Sequence, residues 1–178
     1  MGGEERQLGS VDHTQGKTPL ICVAMVYYSR TPFQDIAMQF SNPDPDEILR
    51  LLNKVHSIAV VGLSPNEARP SFHVAQGLQG LGYRIIPVRP KVDAVLGEKA
   101  YADLESLPGQ PDIVDVFRAS EHVPAIVDSC IKLGIKNLWL QEGVIHEAAV
   151  QRATEAGITV VMNRCMWRDA VKFGAHSP

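Results

Sequence analysis

The chain has 178 residues, 45% of them apolar and 21% charged, with a formal net charge of −3. That is one domain of ordinary size with some extra, and the acidic balance argues against a general nucleic-acid or membrane-surface binder. Cys22, Cys130 and Cys165 are widely spaced with no CxxC pair, so neither a disulfide framework nor a zinc site is signalled, and the expected setting is a reducing cytoplasm.

Residues 1–37 read as an extension that does not match the rest. The first 19 residues are polar and turn-rich, and Leu20–Tyr28 is a nine-residue apolar run, far short of the ~20 residues that span a bilayer. Acidic residues ahead of the run and the lack of a small-x-small site behind it make a poor signal peptide. An added strand, a disordered tail and sequence upstream of a start at Met38 all stay open, with the last preferred.

The folded domain is expected over residues 44–175. Asp44, Pro45 and Glu47 form a capping box with proline at the first helical position, and Ile48, Leu51, Leu52 and Val55 recur with helical spacing. Ser57–Val61 is an unbroken run of small and apolar residues ending at Gly62, as in a strand buried on both faces. Polar turn residues follow, and Pro70 opens a helix with Val74, Ala75, Leu78 and Leu81 on one face and Gly82 as its stop. Gly77 and Gly80 inside that helix point to close helix–sheet packing. Tyr83–Val88 is a second strand and Gly97–Leu107 an irregular excursion. Asp112–Phe117 is a third strand, after which Ser120 caps a helix with Val123, Ile126, Val127, Cys130 and Ile131 inward and Gly134 as its stop. Asn137–Leu140, a helix over His146–Ala156, the strand Ile158–Met162 and a helix over Met166–Phe173 complete the chain. The alternation predicts a Rossmann-like, doubly wound α/β fold: a parallel five-stranded sheet in a three-layer αβα arrangement.

Such sheets bind ligands outside the carboxyl ends of their strands, at the switch point. The first strand ends in Gly62-Leu63-Ser64 and leads to Arg69; the second ends in Pro87-Val88-Arg89-Pro90-Lys91, the third in Phe117-Arg118. The fourth ends in Gln141-Glu142-Gly143 and the fifth in Asn163-Arg164-Cys165. Four arginines at strand exits in an acidic chain make a local positive funnel suited to phosphate. The glycine turn and helix N-terminus are expected to aim backbone N–H groups at the ligand. The turn lacks GxGxxG, and the second strand offers Arg89 and Lys91 where NAD would need an acid. A ligand phosphorylated on its ribose is therefore favoured, either NADP or coenzyme A (CoA).

Five motifs in order then carry a resemblance: Val60–Ser64 with Arg69-Pro70-Ser71, Pro87–Pro90, Asp112–Arg118, Leu138–Gly143 and Val161–Met166. Together they resemble the stand-alone CoA-binding proteins of bacteria and archaea, which are similar in turn to the N-terminal CoA-binding domain of the succinyl-CoA synthetase α subunit. The resemblance covers about residues 45–170. It implies that Gly62, Leu63, Ser64, Arg69, Pro70 and Ser71 face the pyrophosphate and the start of pantetheine. It sets the 3′-phosphate ADP part near Arg89 and Lys91, with Pro87 and Pro90 of the same motif also at the binding site, and packs adenine or pantetheine on Val116, Phe117 and Arg118. Gln141, Glu142 and Gly143 would lie toward the thiol end, and Arg164 and Cys165 at the ligand edge after the last strand. Asn163 departs from the Asp expected there.

The resemblance implies that the ligases carry a further domain with a phosphorylated histidine, which is not expected within these 178 residues. The expectation is a non-catalytic module that binds CoA or an acyl-CoA, with no metal, nucleic acid or membrane partner. An NADP-dependent oxidoreductase, or a subunit presenting CoA to a separate ligase or transferase, are the alternatives, and a homo-oligomer stays open. His73, His122 and His146 form no triad or ligand set. Trp139 and Trp167 read as core or edge packing. Cys165 has a sharper reading, a thiolate favoured by arginines and able to form a mixed disulfide with CoA, beside the more frequent one of a small buried hydrophobe. Cys130 reads as core.

Overall fold

A computed structural model describes residues 40–176; the expectations for residues 1–37 and for Cys22 lie outside the described residues. Helix α1 (Pro45–Lys54) opens on the capping box, with the Glu47 N–H donating to Asp44 at 2.8 Å and the Asp44 N–H donating to Glu47 at 3.1 Å. Ile48, Leu51 and Leu52 turn into the core.

Five parallel strands form the central sheet: β1 (Ser57–Val61), β2 (Arg84–Val88), β5 (Ile113–Val116), β6 (Asn137–Leu140) and β7 (Thr159–Met162). Their order is β2-β1-β5-β6-β7, so the chain steps outward from β1 to one edge and then crosses back to build the other half. The switch point is therefore the crevice between β1 and β5. Between β2 and β5 lies a hairpin, β3 (Ala94–Val95) and β4 (Glu98–Lys99). It replaces part of the expected irregular stretch. Its turn holds Leu96 at φ +55° and Gly97 at φ +80°, the positive pair a tight two-residue turn demands.

Helices α1, α2 (Pro70–Gly80) and α5 (Met166–Phe173) cover one face of the sheet, where Ile58, Val60, Ile113, Trp139 and Val161 meet Ala75, Leu78 and Met166. Helices α3 (Val123–Leu133) and α4 (Glu147–Glu155) cover the other, over Ala59, Val114, Val116, Leu138, Leu140 and Val160. The strands are nearly continuous in apolar residues because both faces are covered.

Three local expectations are corrected. A Cβ on Gly77 would lie 2.3 Å from the Trp167 ring, so the close approach there is helix to helix, and a Cβ on Gly80 would meet nothing within 4 Å. Ser120 does not cap α3; it opens a short 3₁₀ turn (Ser120–His122) and its Oγ accepts from the Ile145 N–H at 3.0 Å. Ile131 is 40% exposed instead of inward. Trp139 is fully buried, its Nε1–H donating to the Arg164 carbonyl at 2.7 Å, whereas Trp167 sits at the edge.

Candidate functional site

The turn after β1 is shaped by one glycine. Gly62 has φ +90°, and a Cβ there would lie 2.4 Å from the Phe117 carbonyl oxygen and 2.9 Å from the Arg118 side chain. Only a residue without a side chain lets the β1 and β5 exits come this close. The Gly62 N–H donates to the Val88 carbonyl at 2.9 Å, and its own carbonyl accepts from Arg89 Nη1 at 3.5 Å, so the exits of three strands are tied at one residue.

Beyond Gly62 the loop satisfies itself. The Ser64 N–H donates to Ser71 Oγ at 3.1 Å, the Asn66 N–H to Ser64 Oγ at 3.2 Å, and the Ala68 N–H to Asn66 Oδ1 at 2.9 Å. The expectation of a loop with its N–H groups aimed outward is corrected: most of them hold the loop's own shape. The recognition groups left are the Ser64 and Ser71 hydroxyls, the positive N-terminal end of α2 and the guanidinium groups around it.

Above the switch point opens a cavity of about 820 Å³, within the range of small-molecule sites. Of the residues expected at the site, Gly62, Ser64, Arg69, Pro70, Ser71, Arg89, Phe117, Arg118, Gln141, Glu142 and Cys165 line it; Pro65, Asn66, Val74 and Val144 join them. Leu63 and Val116 are wholly buried in the two apolar layers, and Pro87 is buried within β2, so these three support the wall without forming it. Pro90 borders a second cavity of about 270 Å³ that shares Gly62 and Arg118 with the first and lies against Ala125 and Ile126 of α3. Lys91 is exposed at φ +62° and lines neither cavity.

At the far end the sequence pattern breaks down. Arg164 borders neither cavity and is clasped by Asp169, with Nε at 2.6 Å and Nη2 at 2.8 Å from its carboxylate. The funnel therefore holds three arginines, Arg69, Arg89 and Arg118. Glu142 pairs with Arg168 of α5. Gly143 stays outside the cavity and donates its N–H to Asn163 Oδ1 at 2.8 Å; Asn163, at φ +58°, thereby joins the β6 and β7 exits. Asparagine tolerates that backbone region.

One polar group behind the cavity was not expected from sequence. Asp115 is completely buried in mid-β5, beside Val60 of β1 and Trp139 of β6, and both of its oxygens lie 2.9 Å from Gln141 Nε2. Burial pushes its carboxyl up to about 7, against the Gln141 and Val116 N–H bonds that favour the charged form. The only sequence signal was a lone acid inside an apolar strand. Cys165 is also buried, and burial raises its thiol pKa, with Asp115 and Asp169 adding to the rise against the Arg168 and Trp167 N–H groups. The burial and raised pKa go with the reading of a small buried hydrophobe and against the thiolate, and Arg164, the nearest arginine in sequence, is neutralised by Asp169.

Among the described residues no group of three or more His, Cys, Asp or Glu is placed to hold a metal ion. His146 caps α4 through Nδ1, which accepts from the Ala149 N–H at 3.2 Å, and His122 lies against Glu121 at 3.7 Å. No described helix is long and apolar enough to cross a membrane.

Fold and cavity together define a Rossmann-like α/β binding domain with an arginine-bordered cleft at its switch point. Residues 56–170 match the family described as CoA binding domain, and the chain belongs to it. It is 41% identical over 125 residues to the Bacillus subtilis uncharacterized protein YneT, covering 70% of this chain and 93% of that one. A solved structure of a hypothetical protein from Pyrococcus horikoshii superposes with a TM-score of 0.72 at 32% identity, over 78% of this chain and all (100%) of that one. The chain is also 31% identical over 100 residues to an Archaeoglobus fulgidus ADP-forming acetate–CoA ligase, of which the match covers only 15%.

Proposed function

We propose that the protein binds coenzyme A or an acyl-CoA as a non-catalytic module. The observation that carries this reading is the convergence of Arg69, Arg89 and Arg118 with the Ser64 and Ser71 hydroxyls on one cavity at the β1/β5 crevice. The pyrophosphate would sit at Arg69 and the α2 N-terminus, and the 3′-phosphate at Arg89. The adenine would enter the smaller cavity past Gly62 and Arg118, flanked by Pro90. Pantetheine would run over Phe117 toward Gln141 and Cys165. Among the cavity's lining residues, Glu142 is the one carboxylate, and Arg168 pairs with it; one paired acid is not a general acid–base set.

A thermal-shift series with CoA, dephospho-CoA, acetyl-CoA, NADPH and NADH tests the reading. A ligand at 100 times its dissociation constant adds about 2.7 kcal/mol, worth about 5–10 °C for a domain of this size. Stabilisation by CoA that weakens without the 3′-phosphate is expected. The second reading, NADP, is favoured by Arg89 at the end of β2; stabilisation by NADPH and not by CoA would establish it instead.

A further inference from the structure

Gln141 is 4% exposed and lines the inner part of the cavity. Its Nε2 is committed to Asp115, and no protein donor among the described residues meets its Oε1. No fully buried side-chain nitrogen or oxygen in the described residues lacks a partner, so Oε1 keeps its access to the cavity. The orientation of this amide follows from chemistry: an ionised carboxylate can only accept, so the nitrogen must face it and the oxygen must face away. A protonated Asp115 reverses the requirement. Its O–H needs an acceptor, and leaving a buried donor without one costs about 1–3 kcal/mol. Turning the amide over provides Oε1 as that acceptor and sends the NH₂ group into the cavity.

We propose that Asp115, acting through Gln141, sets the hydrogen-bonding polarity of the cavity floor: an acceptor when the carboxyl is ionised, a donor when it is protonated. Asp115 is a positioning residue, since Gln141 alone reaches the ligand. Its raised pKa sets the change near neutrality. The charged and titratable groups around it are few. Its strand neighbours on β1 and β6 are the uncharged Val60 and Trp139. The start of α5 brings the Cys165 thiol and Asp169, which Arg164 neutralises, and the β6 exit brings Glu142, which Arg168 neutralises. The other charged groups that border the same cavity are Arg69, at the start of α2, and Arg89 and Arg118, at the β2 and β5 exits. Resting on the CoA reading, the consequence is that the floor above neutral pH takes a hydrogen-bond donor of the uncharged arm, an amide N–H or a free thiol.

Two measurements test this. In the ligand-free protein, the Gln141 side-chain NH₂ resonances, assigned by their loss in Gln141→Met, are followed with the Asp115 carboxyl carbon from pH 5.5 to 8.5. The expected result is one shared midpoint, with the Gln141 shift absent in Asp115→Asn; Gln141 signals that ignore the Asp115 titration overturn the proposal. Then the dissociation constant of dephospho-CoA, which has no phosphate monoester to titrate, is measured over the same range. Affinity should fall about fivefold or more from pH 8 to pH 6 in the wild type and stay flat in Asp115→Asn and Gln141→Met; a flat or rising wild-type affinity overturns it. Failure of CoA and dephospho-CoA to bind at any pH removes the CoA reading alone, and the resonance titration still decides the switch.

Discussion

Arg89, Arg164 and Lys91 all follow strands in the sequence, yet their surroundings separate them. Arg89 borders the cavity and reaches back to the Gly62 carbonyl, Arg164 is neutralised by Asp169, and Lys91 is exposed and lines neither cavity. Charge at a strand exit therefore does not by itself make a phosphate site, because a guanidinium held by a carboxylate has no free fork to offer. Arg89→Ala should weaken CoA about 10- to 100-fold, the worth of a charge-assisted hydrogen bond, and dephospho-CoA distinctly less. Isothermal titration calorimetry on both ligands checks this, and equal losses would move the 3′-phosphate elsewhere. Residue types at the site were legible from sequence, but their partners were not: Asp169 and Arg168, which remove Arg164 and Glu142 from play, lie on α5 and carry no motif.

At the scale of elements, the helices and strands of the sheet stand where periodicity and turn chemistry put them, and the departures come from packing between elements. Gly77 looks in sequence like a weak spot in α2, about 1 kcal/mol worse than alanine. Its place under Trp167 reverses the sign. Gly77→Ala should destabilise the protein by about 1–3 kcal/mol through overpacking, and shift Trp167 fluorescence as the indole is pushed outward. Gly80→Ala, with nothing within 4 Å of the new methyl, should instead gain about 0.5–1 kcal/mol. Urea melts with tryptophan emission distinguish the two, and a gain at both positions would mean that Trp167 is not held against α2. Ile131 fell on the expected inner face of α3 by spacing alone, but it lies at the edge of that face and is 40% exposed.

For the whole molecule, the strand order puts an acid at the centre of the sheet. Asp115 has a pKa raised from 3.8 in the unfolded chain to about 7 in the fold by burial. The native state therefore holds a proton that the unfolded state has released across that window. Its contribution to stability is fully present below the unfolded value, is lost as pH rises through the window, and is flat above it. The loss is at most about 1.4 kcal/mol per pH unit. Denaturant melts between pH 5 and 8.5 should show this slope in the wild type and not in Asp115→Asn; a slope shared by both would assign it to other groups. The same burial gives Asp115 leverage over the cavity, because a carboxylate in water would be indifferent to the amide beside it.

The sequence by itself determined the fold class, the strand ends, the glycine turn and the arginines that follow the strands. These are local properties, written in the period of apolar residues and in the few residues that tolerate a given backbone angle. Only the tertiary structure decided which polar groups are free and which are spoken for. Asp115 faces Gln141, Asp169 takes Arg164, Arg168 takes Glu142, and Trp167 fills the notch at Gly77. Apart from Arg164 and Asp169, which are close in sequence, these pairs are brought together by the strand order β2-β1-β5-β6-β7 and by α2 and α5 sharing one face. Contacts between residues distant along the chain follow from topology, and no spacing within one strand or helix encodes them.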